Sequence, residues 1–145
     1  MRRLVALAFA MVVGLTACSR RSAPPLTAIS PPETTLPANC HEISPIETEV
    51  MLKAKPDLVI LDMRVETEWG AEGHIQGAQF ANYYRQDLKG YLAALDRTKP
   101  YLVYCALGER SKQTAVQMTD LGFKEIYVLA GGLNAWKAAG KPVVK

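Results

Sequence analysis

No block of basic residues interrupts this 145-residue chain, and its net charge at neutral pH is only +3. A nucleic-acid-binding face or a polybasic membrane patch therefore has no charge to draw on. No internal repeat is visible, so the chain is not a solenoid or an array. No apolar run reaches membrane-spanning length; the run from Leu4 to Leu15 is too short for a comfortable crossing. Cysteine is scarce, with three in the chain, and one of these, Cys18, lies at the end of that apolar run. What is present is ample apolar material, 49% of residues, enough for the core of one modest domain.

Met1-Arg2-Arg3 followed by Leu4 to Leu15 has the positive and apolar regions of an export signal. Leu15-Thr16-Ala17-Cys18 resembles a bacterial lipobox. That resemblance implies a signal peptide over 1–17, cleavage before Cys18 and lipidation of Cys18. Several acyl chains on one residue anchor stably where a single chain is marginal. Ser19, rather than aspartate, favours the outer membrane in the sorting rule for such lipoproteins. The expected location is the cell envelope, on the periplasmic side. Residues 19–39 hold five prolines among mostly small or polar residues. With Cys18 they form an expected disordered tether over 18–39. The folded domain is expected over 40–145.

Within that domain Ser44-Pro45-Ile46-Glu47 predicts a capped helix running to about Ala54, stopped by Lys55-Pro56. Asp57 to Asp62 reads as a strand buried on both faces. Met63 to Ala78 reads as loop with a short helix over Glu66 to Trp69. A short strand is expected over 79–82 and a helix over 86–95, where apolar residues fall at helical spacing. Tyr101 to Tyr104 and Glu125 to Leu129 read as strands. Helices are expected from about Arg110 or Ser111 to Leu121 and from Leu133 to Ala139. Alternating strands and helices predict an α/β fold, a small parallel sheet with helices on both faces.

This places Cys105 at the carboxyl end of a parallel strand, where open α/β sheets bind ligands. The loop Cys105-Ala106-Leu107-Gly108-Glu109-Arg110 leads into a helix N-terminus with free N–H groups and a positive dipole end. Such a loop can curl into a nest of donors around an anion, and Gly108 permits the sharp backbone it needs. A thiolate at its centre is favoured by those donors and by the charge of Arg110. The pattern points to a nucleophilic cysteine in an anion-binding cradle.

Four spaced blocks then resemble the rhodanese family across nearly the whole domain. Leu61-Asp62-Met63-Arg64 resembles its strand-end Asp-Val-Arg. Glu68-Trp69 with Gly73-His74-Ile75-Gln76-Gly77-Ala78 resembles its E-[FYW]…GHIxGA block. Cys105 to Ser111 resembles its active-site loop, often C-x-x-G-x-R-S. Gly122-Phe123, Val128-Leu129, Gly131-Gly132, Trp136 and Gly140 to Val143 resemble its closing GF…VLxGGxxxW…GxP(V). The resemblance implies the rhodanese-like fold and a sulfurtransferase. Cys105 would take the outer sulfur of a donor (thiosulfate, persulfide or polysulfide) and pass it to cyanide, a thiol or a protein acceptor. Ala106, Leu107, Gly108, Glu109, Arg110 and Ser111 would bind substrate and persulfide, with no metal and no organic cofactor.

Supporting roles are weighed residue by residue. Arg110 either faces the cradle or pairs with a carboxylate, Glu68 first. Asp62 is read as holding its loop by local hydrogen bonds, and Arg64 as an ion-pair partner near the site or a substrate contact. His74 is read as structural, because an ionised thiolate needs no general base. Gly131-Gly132 is read as the turn into the last helix. Cys40 is expected to be free, since a bond to Cys105 would silence the loop, although two cysteines in an exported domain suggest a disulfide by default. Glu109 is expected to disfavour anionic donors. Two rival functions remain: a persulfide-carrying or partner-binding module with little turnover, and a phosphatase. The phosphatases of this fold carry one more loop residue, C-x-x-x-x-x-R, to fit a phosphate.

Overall fold

A computed structural model describes residues 35–145. The expected signal peptide, the lipid on Cys18 and the tether as far as residue 34 lie outside the described residues. Ser44 caps helix α1 (Pro45–Ala54) as its sequence requires: its hydroxyl accepts from Glu47 N–H at 3.3 Å, and Glu47 Oε2 accepts from Ser44 N–H at 2.8 Å. The elements around it are β1 (Cys40–Ile43), β2 (Val59–Asp62), α2 (Glu66–Glu72), β3 (Gln79–Phe80), α3 (Leu88–Ala93), β4 (Pro100–Tyr104), α4 (Glu109–Asp120), β5 (Glu125–Leu129) and α5 (Gly132–Ala138). Among the described residues no helix is long and apolar enough to cross a membrane.

The strands form one five-stranded sheet in the order β1-β5-β4-β2-β3, every pairing parallel. Parallel strands buried on both faces need apolar residues throughout, and all five residues of β4 are buried. Alternation along β4 divides the core. Tyr101, Val103 and Cys105 join Leu92 of α3 and Ala115 and Met118 of α4 on one face. Leu102 and Tyr104 join Met51 and Leu52 of α1 and Leu133 and Trp136 of α5 on the other. The rhodanese-like expectation of a parallel sheet covered on both sides therefore holds.

Strands β2 and β3 and helix α3 are shorter than the sequence reading by two to four residues, and there are three further differences. Strand β1 was not expected, because Cys-His-Glu-Ile has two exposed polar residues at its centre; among the described residues it is an edge strand that pairs only with β5. Helix α2 runs on through Gly70 to Glu72. The chain is also fastened before Cys40: Asn39 Nδ2 donates to Phe123 O at 2.9 Å, its carbonyl accepts from Ile126 N–H at 3.1 Å, and Leu36 lies against the core.

Candidate functional site

Cys105 follows directly on the fully buried β4 and is itself 1% exposed. Two glycines shape the loop around it. Gly108 has φ 113 and is the residue from which α4 starts; there its N–H points back and donates to Cys105 Sγ at 3.1 Å. Ser111 Oγ lies 3.8 Å from the same sulfur and donates to Gly108 O at 2.7 Å, which fixes the turn. Behind the loop, Leu133 N–H donates to Cys105 O at 2.8 Å and Asn134 N–H to Ala106 O at 3.1 Å. The first turn of α5 thus ties the loop carbonyls back, away from the sulfur. Gly132 makes this approach possible: a Cβ there would stand 2.4 Å from Cys105 O and 2.6 Å from Ala106 O. Gly131-Gly132 is the turn into α5, as expected, and also the seat of the loop.

Arg110 adopts the second of its two expected roles. Its Nη1 and Nη2 donate to the two Glu68 carboxylate oxygens at 2.9 and 2.8 Å, a bidentate pair. Glu68 Oε2 also accepts from Val65 N–H at 2.9 Å. The Arg110 hydrogen bonds hold the Glu68 carboxyl below the usual carboxylate range. Reciprocally, Glu68, with a smaller contribution from Cys105, holds the guanidinium more firmly protonated than a free one.

Asp62 and Arg64 form a wholly buried ion pair behind this wall, both side chains 0% exposed. Arg64 Nε and Nη2 donate to the Asp62 carboxylate at 2.8 to 3.0 Å, and its remaining donors reach Glu68 O at 3.2 Å and Gly73 O at 2.7 Å. Arg64 is therefore a strut between β2 and α2; its burial keeps it from meeting substrate. Asp62 also accepts from Arg64 N–H at 2.9 Å, the local hydrogen bond expected of it. The Tyr104 phenol accepts from Ile75 N–H at 3.2 Å and is pushed far up by burial, with Asp62 adding to the effect.

His74 stacks on Trp69, ring centroids 3.8 Å apart and 9° from parallel. Its backbone exchanges two hydrogen bonds with Val144, at 2.8 and 2.9 Å, which closes the C-terminus onto α2. That is a structural role. Cys40 and Cys105 are both free. Cys40 is level with Ile126 and, one strand further on, with Tyr101. Two strand spacings and four residues of rise separate it from Cys105 by about 16 Å, where a disulfide spans less than about 7 Å between Cα atoms. Burial pushes the Cys40 thiol up.

Sequence reasoning missed Tyr84. Its ring lies 5.9 Å from the Arg110 guanidinium carbon and is 68% exposed. The one available signal was Asn82, two residues earlier, of a residue type that tolerates left-handed turns.

Residues 44–139 match the rhodanese-like domain family. The thiosulfate sulfurtransferase GlpE of Coxiella burnetii is 38% identical over 97 residues, which span 67% of this chain and 87% of that protein. Among solved structures, the rhodanese-like domain of an Anabaena protein is 30% identical with a TM-score of 0.62, covering 71% of this chain and 77% of that one. The polysulfide-sulfur transferase homodimer of Wolinella succinogenes is 29% identical with a TM-score of 0.62, covering 74% and 80%.

Proposed function

The chain belongs to the rhodanese-like domain family, and from that premise we propose that it transfers a sulfane sulfur through a persulfide on Cys105. The observation that carries the proposal is the cradle: Cys105 Sγ sits inside a six-residue turn with the Gly108 N–H at 3.1 Å and the loop carbonyls tied back to α5. The Cys105 thiolate attacks the outer sulfur of the donor. With thiosulfate, a new S–S bond forms to Cys105, the donor S–S bond breaks, and its electron pair leaves with sulfite. With an organic persulfide the leaving group is the donor thiolate. An acceptor thiolate or cyanide then attacks the outer sulfur of Cys105-S-S⁻, and Cys105 leaves as the thiolate again. This is covalent, ping-pong catalysis in which the Gly108 N–H and the helix start stabilise the anion at each stage.

Loop length supports sulfur over phosphate as the transferred group, since only four residues separate Cys105 from Arg110. Arg110 is held by Glu68, so it acts as a fixed positive wall of the loop and a brace to α2. The donor we favour is an organic persulfide, because the loop adds the carboxylate of Glu109 and no unpaired cation, which disfavours small dianions such as thiosulfate and inorganic polysulfide. We further place the protein in the cell envelope, anchored through lipid on Cys18; radiolabelled palmitate should enter the wild-type chain and not Cys18→Ser, and equal labelling of both would end that assignment.

The test of transfer is intact mass of the full chain after exposure to thiosulfate and, separately, to inorganic polysulfide. A gain of one sulfur that cyanide removes and Cys105→Ser lacks is the expected result. No gain from either donor, with Cys105 shown to be free by thiol titration, would leave a binding module on this fold.

A further inference from the structure

The turn at residues 82–85 is fastened on every side except one. Asn82 takes φ 51, a left-handed conformation uncommon for a residue with a Cβ. Its side-chain oxygen accepts from Tyr84 N–H at 3.0 Å and its carbonyl from Arg85 N–H at 3.1 Å. Tyr83 N–H donates to Met63 O at 3.1 Å, and its hydroxyl bonds Gln113 Oε1 at 2.5 Å. The Arg85 guanidinium lies over the Tyr91 ring, 4.1 Å from its centroid. The free member is Tyr84, which packs edge-on against Tyr83 at 5.1 Å and presents the rest of its ring to solvent beside Arg110. A single exposed aromatic is ordinary. A turn anchored at its backbone and through its neighbours, which places one beside the Cys105 loop, is less ordinary.

Charge and polarity around the thiol narrow what that ring can meet. Arg110 has both Nη groups committed to Glu68. Glu109 is exposed and has no hydrogen bond or ion pair among the described residues. Leu107, on the same loop, is 67% exposed. Beside the thiol, then, stand an exposed aromatic ring on one segment and, on the loop itself, an exposed aliphatic side chain and an exposed carboxylate at the start of α4. A small inorganic dianion gains nothing from the first two and is repelled by the third. Two exposed apolar side chains on separate segments are covered only by a body larger than a simple sulfur anion.

We propose that Tyr84 and Leu107 seat the organic body of the sulfur carrier and that Glu109 selects its charge. The carrier is thus a cysteine persulfide on a polypeptide whose neighbouring residues are apolar or basic. This rests on the sulfur-transfer reading and names the substrate class of that same site. The step is the balanced exchange already given: Cys105 bonds the outer sulfur, the carrier's S–S bond breaks, and the carrier leaves as its cysteine thiolate. Tyr84 is a specificity residue that touches the carrier's body and takes no part in bond making.

The experiment follows the rate at which the full chain gains one sulfur on Cys105, read by intact mass. Two synthetic peptide persulfides serve as donors, one with Lys and Leu beside its cysteine and one with Glu and Ser, and inorganic polysulfide is the reference. The Lys-Leu peptide should load wild type roughly tenfold faster than the Glu-Ser peptide. Tyr84→Ala should lower the ratio of Lys-Leu peptide to polysulfide loading by roughly tenfold, mainly through the concentration dependence, and Tyr84→Phe should restore it. Glu109→Lys should invert the preference between the two peptides. If polysulfide loads Cys105 while Tyr84→Ala leaves that ratio as in wild type, the seat is wrong and sulfur transfer stands. If Tyr84→Ala slows peptide and polysulfide alike, Tyr84 merely supports the loop, and the seat is again wrong. If no donor loads the wild type, sulfur transfer itself falls and the seat with it.

Discussion

Arg110 and Glu68 meet fork to fork across the edge of the Cys105 loop, through hydrogen bonds of 2.9 and 2.8 Å. The pair joins two segments 42 residues apart in sequence. One carries the thiol, and the other is braced from behind by the buried Arg64, which bonds the Glu68 carbonyl. The loop's position is thus set through side chains from α2 as well as by its own glycine.

The pH dependence of stability follows from the direction of the Glu68 shift. Its carboxyl is held low by Arg110, so its folded value lies below its unfolded one. The contribution is complete above the unfolded carboxylate value and is lost as the pH falls through the folded one. Glu68→Gln should therefore lower the melting temperature at pH 7 and cost much less at pH 3. Melting curves at the two pH values decide the matter, and an equal loss at both would mean that the ion pair is not the source.

Asp62→Ala should be far more damaging. It leaves the buried Arg64 with only the Glu72 carboxylate, 3.8 Å from Nη1, to meet its charge, a change whose cost should approach the about 3–5 kcal/mol of breaking a buried pair. Urea unfolding of the variant should show a correspondingly lower midpoint. A loss under about 1 kcal/mol would mean that water reaches Arg64 and the pair is not sealed.

Cys40 should prove dispensable for loading. Cys40→Ala removes a thiol that lies against Thr119 and Ala115, far down the sheet from the loop. Persulfide formation on Cys105 should proceed at the wild-type rate, and the wild type should show two reactive equivalents in its domain after denaturation without reductant. No equivalent at all would reveal a bond between Cys40 and Cys105 that the register of β1 forbids.

The parallel sheet, the helices on both faces and the cysteine at a strand end were legible because buried parallel strands and capped helices leave strong local patterns. Ser44 to Glu47 and Val59 to Asp62 are examples. Strand β1 was not legible because an edge strand with exposed His41 and Glu42 has no apolar run to announce it. The orientation of Arg110 stayed open because a guanidinium near a carboxylate and a thiol is drawn to both, and only the fold brings Glu68 within 2.9 Å. The seating of the loop on α5 was hidden for the same reason: Gly131-Gly132 reads as a turn, while the carbonyls that its closeness serves lie in the loop after β4.

Gly132→Ala tests that seating. A Cβ at this position meets the backbone oxygens of both Cys105 and Ala106, and backbone cannot swing aside as a side chain does. The loop must lift from α5 or the helix must shift. We expect destabilisation of about 1–3 kcal/mol, with sulfur loading of Cys105 slowed beyond what the remaining folded fraction explains. Circular dichroism and loading rate measured on the same sample separate the two effects. Loading in simple proportion to folded protein would mean that the cradle tolerates the movement.

Glu109→Lys tests the electrostatics of the mouth with the simplest donor. Thiosulfate carries two negative charges and approaches a thiolate, so each fixed charge on the loop acts on the encounter and on the bound state. Glu109 is exposed, which limits the effect of reversing it to the range of surface interactions, about 1 kcal/mol for each unit of charge at close range in water. Exchange of a carboxylate for an ammonium changes the local charge by two units. The kcat/KM for thiosulfate should rise by about tenfold, and raising the salt concentration should shrink the gain, since exposed charges are screened beyond about 10 Å at 0.1 M ionic strength. A gain indifferent to salt would point to a direct contact between the introduced ammonium group and the donor. No gain at all would show that Glu109 turns away from the mouth, and the preference for uncharged or basic carriers would then lack its source.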